Sequence, residues 1–245
     1  MNDVVIQAQG IVKAYRTGSV VTPVLRTIDM TVARGECLFL VGPSGSGKTT
    51  LLSILGCVLS ADEGCLQILD QDVTRLRRTA QAHFRRDCIG FVFQRFHLFR
   101  GLKAWENVRV VFDLLGCPKR EGKRESLRLL DMVGLADRAG HDVTQLSMGQ
   151  RQRVAFARAL AADPDLILAD EPTASLDAES GQNAMAILKN LCRELNKTVV
   201  VVTHDSRIFS LADRILELND GRILHSSEPT TPKPQALLHA GTGAA

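Results

Sequence analysis

The chain opens with two stretches in which apolar and polar positions alternate, Val4 to Tyr15 and Val20 to Val32. Alternation with β-branched residues predicts antiparallel strands that each turn one face to a core. The pattern then changes. ECLFLVG (Glu36–Gly42), CIGFVFQ (Cys88–Gln94), DLILADE (Asp165–Glu171) and TVVVVTH (Thr198–His204) are short, continuously apolar runs. Runs of this kind suit a parallel sheet covered on both faces. Lys48 to Cys57 reads as a helix. Between Gln94 and Asp163 no strong strand is expected, and Trp105–Leu115 and Lys119–Val133 read as helices. This predicts a helical lobe, about residues 95–163, inserted between two sheet strands. RILEL and GRILH flank Asn219-Asp220-Gly221, a hairpin turn signal. The expected ordered unit is 1–225. From Ser226 the chain turns to Ser, Pro, Thr and Ala, which predicts a loose tail over 226–245.

Composition narrows the picture. With 245 residues and 45% hydrophobic content, the chain can bury a substantial core. The formal net charge is +3, with both signs interspersed, which argues against a nucleic-acid partner. The densest basic run, RLRRTAQAHFRR (Arg75–Arg86), admits two readings: a solvated helix face, or contact with anionic lipid or a partner near a membrane. The cysteines at 37, 57, 65, 88, 117 and 192 form neither CxxC nor a zinc spacing; core packing in a reducing compartment is expected. No leader pattern stands out, and no run approaches the ~20 apolar residues of a membrane span. A soluble chain follows, with any membrane role reached through a partner.

Candidate chemistry sits at the ends of the apolar runs. GPSGSGKT matches G-x-x-x-x-G-K-[ST], between a predicted strand and a predicted helix. Gly42, Gly45 and Gly47 let backbone N–H groups turn toward phosphate oxygens. Pro43, Ser44, Ser46 and Thr50 of the same stretch are expected to complete the nucleotide contacts. Lys48 offers a point charge to the β- and γ-phosphates, and the Thr49 hydroxyl can ligate Mg²⁺. A P-loop needs an acid for the metal and a group to orient water. Asp170 and Glu171, closing an apolar strand, are the candidates for Mg²⁺ and for general base. Far along the chain, LSMGQRQRVAFARAL (Leu146–Leu160) places a turn before a helix, a second anion site.

Together and in this order, these motifs resemble the ATP-binding subunits of ABC transporters over about residues 4–225. GPSGSGKT looks like the Walker A loop, LSMGQ like the signature LSGGQ, and LILADEP like Walker B with its catalytic Glu171. Gln94 looks like the Q-loop glutamine, which touches Mg²⁺ and senses the membrane partner. Ser175–Asp177 looks like the D-loop. His204 looks like the switch histidine at the γ-phosphate, and Tyr15 sits where the family stacks an aromatic on adenine. The resemblance implies an α/β fold: a RecA-like P-loop NTPase core, an N-terminal antiparallel β subdomain and an inserted α-helical subdomain. It also implies ATP hydrolysis in a head-to-tail dimer, with a second copy or a paralogue. Glu171 would act as base while Lys48 and His204 stabilise γ-phosphate charge. Ser147, Gly149 and the helix from Gln150 would cover the partner's ATP.

One position departs from the signature: residue 148 is Met, not Gly. A Met with φ > 0 would be strained; with an ordinary φ it would be tolerated. QRFHLFRGLKAWENV, RRDCIGFVFQ and LADEPTASLD resemble the branch containing MacB, LolD and FtsE. The ending THDSRIFSLADRILELNDGRI is similar to DevA-type subunits. The implied partner is a permease of MacB/LolC type, with the chain cytoplasmic and peripheral on the inner face of the plasma membrane. Export, efflux or lipoprotein or glycolipid extrusion would follow; the alternative is FtsE-like signalling without transport. Lys103 and Trp105 depart from the branch pattern at the surface expected to face the permease.

Overall fold

The computed structural model describes residues 3–227. Strands β1 (Val4–Thr17) and β2 (Val20–Ala33) pair antiparallel, as the alternation predicts. Strand β3 (Cys37–Val41) leads into helix α1 (Lys48–Leu55). The helix stops short of the predicted Cys57, which takes the left-handed region at φ 53. Two strands went unforeseen, β4 (Glu63–Ile68) and β5 (Gln71–Asp72). In β4 only Leu66 and Ile68 are buried, too few to stand out as a period. The first sheet has the order β2-β1-β4-β5.

Helix α2 (Arg78–Cys88) holds most of the basic run and buries no residue. It absorbs Cys88, so strand β6 is only Ile89–Val92, and Gln94 lies beyond the strand rather than at its end. Helices α3 (Ala104–Leu114), α4 (Lys119–Met132) and α5 (Met148–Leu160) follow before strand β7 (Leu166–Asp170). Helix α6 (Ala178–Glu194), strand β8 (Thr198–Val202) and the hairpin β9 (Arg214–Asn219) and β10 (Arg222–Ser227) complete the described chain. Asp220 and Gly221 both have positive φ, 44 and 73, which suits the tight turn predicted there. β10 takes in Ser226 and Ser227, two residues assigned to the tail; the rest of that stretch, 228–245, lies outside the described residues.

The second sheet has the order β10-β9-β3-β8-β7-β6, parallel throughout except for β10. Strands β3, β7 and β8 are apolar apart from Thr198 and the terminal Asp170, because both faces are covered. Leu38, Leu40, Leu168, Val200 and Val202 pack with α1 and the first sheet. Phe39, Ile167, Ala169, Val199 and Val201 pack with α3 to α6. Successive residues of a strand point to opposite faces, so one run serves two cores. Helix α5 belongs to the inserted stretch, yet it packs on β6 as well as on α3 and α4. Its Phe156 is fully buried in the core shared with the sheet.

Candidate functional site

The loop after β3 is wedged between neighbours. Gly42 has φ 147, and a Cβ there would lie 2.0 Å from the carbonyl oxygen of Leu218 in β9. Gly47 has φ 104, and its Cβ would meet the Val24 carbonyl at 2.9 Å. The turn of the last hairpin also seats the loop, since Gly221 N–H donates to the Ser46 carbonyl at 3.2 Å. The Lys48 ammonium donates to the carbonyls of Gly42 and Pro43, each at 2.8 Å, and closes the loop on itself. Burial lowers its pKa, while the carboxylates of Glu171 and Asp170 act against that shift. No side chain caps α1, so its first amides are left for a ligand. The Ser46 hydroxyl is buried and has no partner among the described residues. An orphaned donor inside a loop of amides fits a phosphate. Pro43, Ser44 and Gly45 are exposed at the rim, and Thr50 is half-buried in the first turn of α1.

Parallel pairing of β7 with β8 assembles the acidic side. Thr49 Oγ1 donates to Asp170 Oδ1 at 3.2 Å, which brings together two of the three residues expected at the metal, Gln94 being the third. Burial raises the Asp170 pKa, and the Thr49 hydrogen bond opposes it. A hydroxyl beside a half-buried carboxylate is an oxygen donor set of the kind Mg²⁺ takes. Glu171 follows at φ 46, unusual for a residue with a side chain, and its N–H donates to the Val202 carbonyl at 2.8 Å. Its Oε1 lies 2.7 Å from Nδ1 of the exposed His204, beyond β8. The next residue, Asp205, accepts from Thr173 Oγ1 at 2.9 Å and pairs with Arg207 at 2.7 Å. The Arg207 hydrogen bond holds the Asp205 pKa down at about 2.

Two predicted residues stand apart from this cluster. Gln94 is exposed, and its carbonyl accepts from Ser175 Oγ at 3.5 Å; among the described residues its side chain forms no hydrogen bond. Tyr15 lies near the turn of the β1–β2 hairpin, opposite Thr22, and is 46% exposed.

The second anion site is built differently. Ser147 caps α5: its Oγ accepts from Gln150 N–H at 3.2 Å, and Gln150 Oε1 accepts from Ser147 N–H at 2.9 Å. This capping box engages the Gln150 side chain locally. Met148 is the first helical residue and has no positive φ, so the strain considered for it is absent. A Cβ on Gly149 would lie 3.6 Å from Ser180 Cβ, an ordinary contact. Asp177 caps α6, accepting from Ser180 N–H at 2.9 Å, so the starts of α5 and α6 adjoin. α1 packs on one face of the second sheet and α5 on the other.

Sequence reasoning passed over Arg158 and Asp205. Arg158 interrupts the apolar run VAFARALAA, a signal for a half-buried cation with a task. Asp205 stands beside His204 but gives no local cue, because its partner Thr173 is remote in sequence. A groove of about 570 Å³ lies beside Arg158, lined by Arg85, Phe91, Phe93, His97 and Leu114. Among the described residues no helix is long and apolar enough to cross a membrane.

A glycine loop between a buried parallel strand and a helix, with acids at the end of a nearby strand, defines a nucleoside-triphosphate-binding P-loop protein. The ABC transporter family model matches residues 25–174. The chain is 43% identical to the macrolide export ATP-binding/permease protein MacB of Vibrio parahaemolyticus, over 98% of this chain and 38% of that protein. It is 41% identical to MacB of an Azoarcus species, over 96% of this chain and 36% of that protein. It thus spans well under half the length of these curated relatives. Among solved structures, it is similar to the dimeric ATP-binding cassette MJ0796 in a post-hydrolysis state bound to ADP and Pi. That match has 39% identity and a TM-score of 0.84, over 91% of this chain and 98% of that one. CbiO1 from Clostridium perfringens, part of an ABC transporter complex, matches at 26% identity and a TM-score of 0.84, over 93% and 90%. The chain belongs to the ABC transporter family, as an ATP-binding, ATP-hydrolysing cassette.

Proposed function

We propose that the chain pairs head to tail around two Mg·ATP and drives a membrane permease of MacB/LolC type in export, efflux or lipid-linked extrusion. The observation that carries this reading is the separation of the two anion sites. With α1 and α5 on opposite faces of one sheet, a single nucleotide cannot touch both within one chain. The signature turn is fully capped by its own residues, yet Ser147 is exposed. Such a surface is complete once another chain brings a phosphate to it.

In this reading the loop amides from Gly42 to Thr50 bind the phosphates, and Tyr15 stacks on adenine. Lys48 leaves its two loop carbonyls for the β- and γ-phosphates, whose charge favours the ammonium that burial disfavours. Thr49, Asp170 and Gln94 would hold Mg²⁺, which neutralises charge on the phosphates when bound. Glu171 takes a proton from the attacking water. His204, now on Glu171, shifts to the γ-phosphate, which frees the carboxylate and supplies a donor to the transferring group. Ser147, Gly149 and the dipole of α5 from Gln150 cover the γ-phosphate of the partner's ATP. Loss of that phosphate removes the contact and lets the halves part.

The apolar groove with its arginine rim suits an amphipathic segment of a permease, with the exposed Leu114 in its lining. The partner cassette is a second copy or a paralogue, and the working location is the cytoplasmic face of the plasma membrane. Size-exclusion chromatography of Glu171→Gln tests the core of this reading. With Mg·ATP it should shift from monomer to dimer, and without nucleotide it should not. A variant that binds ATP yet stays monomeric, alone and with Met148→Gly added, would overturn it.

A further inference from the structure

Just past Gln94 the backbone does something unusual. Phe96 and His97 are consecutive, neither is glycine, and both occupy the left-handed region, with φ 60 and 47. Side chains make that region costly, so a pair of such residues persists only where surroundings hold it. The holding group is Arg158. Its Nη1 donates to the His97 carbonyl and its Nη2 to the Phe96 carbonyl, each at 2.6 Å. Arg158 forms no ion pair with a carboxylate among the described residues, and burial pulls its pKa below the usual guanidinium value. A half-buried cation without a counter-ion is costly unless hydrogen-bonded, so its two carbonyl bonds fix it tightly. On the other side of the segment, the His97 ring stacks on Phe93 at 4.8 Å.

We propose that Arg158 is a positioning residue for Gln94: its planar fork holds the strained Phe96–His97 pair and thereby sets where the Gln94 side chain stands. Arg158 lies in the last turn of α5, whose first turn is the signature. The clamp therefore ties the segment carrying Gln94 to the helix that covers the other nucleotide. Lysine cannot replace it fully, because one ammonium lacks the flat, two-pronged geometry that meets both carbonyls. This inference rests on the reading of Gln94 as a nucleotide-side residue.

A double-mutant cycle tests it, with steady-state ATP turnover and ATP affinity measured separately. Arg158→Gln should lower kcat about tenfold or more while leaving ATP affinity within about twofold. Hydrogen exchange at the amides of Phe96 and His97 should rise. In the Gln94→Ala background the same substitution should cost less than about twofold further, because the residue it positions is already gone. Arg158→Lys should fall between, and it serves as the second variant if Arg158→Gln does not fold. Equal losses in both backgrounds would overturn the proposal and leave Arg158 a packing residue. Full turnover in Gln94→Ala alone would instead overturn the role read for Gln94, and this inference with it. Absence of Mg-dependent turnover in the unmodified protein would sink the functional reading itself.

Discussion

An added methyl at Gly42 would sit 2.0 Å from a backbone carbonyl, whereas one at Gly149 would sit 3.6 Å from the nearest side chain. Both glycines belong to a turn that starts a helix, and both helix starts can hold an anion. The first is locked by its own chain: β2, β9 and the last hairpin press on the loop, and Lys48 ties it shut. The second is capped by Ser147 and Gln150 and is otherwise open. In the proposed dimer that open glycine is where the partner's phosphate approaches. On that proposal the phosphate loop is a finished site, and the signature turn is half of one.

Substitutions can break this contrast or sharpen it. The largest effect is expected from Gly42→Ala. It adds an atom against the Leu218 carbonyl and holds alanine at φ 147, so stability should fall by about 3 kcal/mol or more, with ATP binding lost. A thermal melt without nucleotide and an ATP titration check this; a wild-type melt with ATP still bound would mean the loop is not locked as described. Gly149→Ala should behave in the opposite way. Stability should stay within about 0.5 kcal/mol and ATP should still bind, while ATP-dependent dimerisation weakens by about tenfold. Dimerisation unchanged in sedimentation would show that nothing approaches Gly149 closely. The smallest effect is expected from Met148→Gly. Because Met148 already has helical backbone, glycine relieves no strain and costs at most about 0.5–1 kcal/mol of helix stability. A large rise in ATPase rate would show that the methionine had been obstructing the site.

How much of this was legible beforehand depends on the range of the contact. The phosphate loop, the acid pair and the hairpin at Asp220-Gly221 are written in neighbouring residues, and each stands where its local pattern predicts. The short strands β4 and β5 were not legible, because two buried side chains make no period. The boundary at Cys88 was misplaced, because an apolar run says nothing of a helix that ends inside it. Gln150 carried a motif position, but its side chain turned out to close its own helix cap.

The sequence by itself determined the kinds of element, the phosphate loop between strand and helix, and the family, since periodicity, turn chemistry and motif spacing act within a few residues. Only the tertiary structure decided that the two anion sites fall on opposite faces of one sheet. It alone brought His204 to Glu171 across 33 residues and Arg158 to His97 across 61. Those meetings come from the pairing of β7 with β8 and the packing of α5 on β6, which bury side chains that no local pattern brings together.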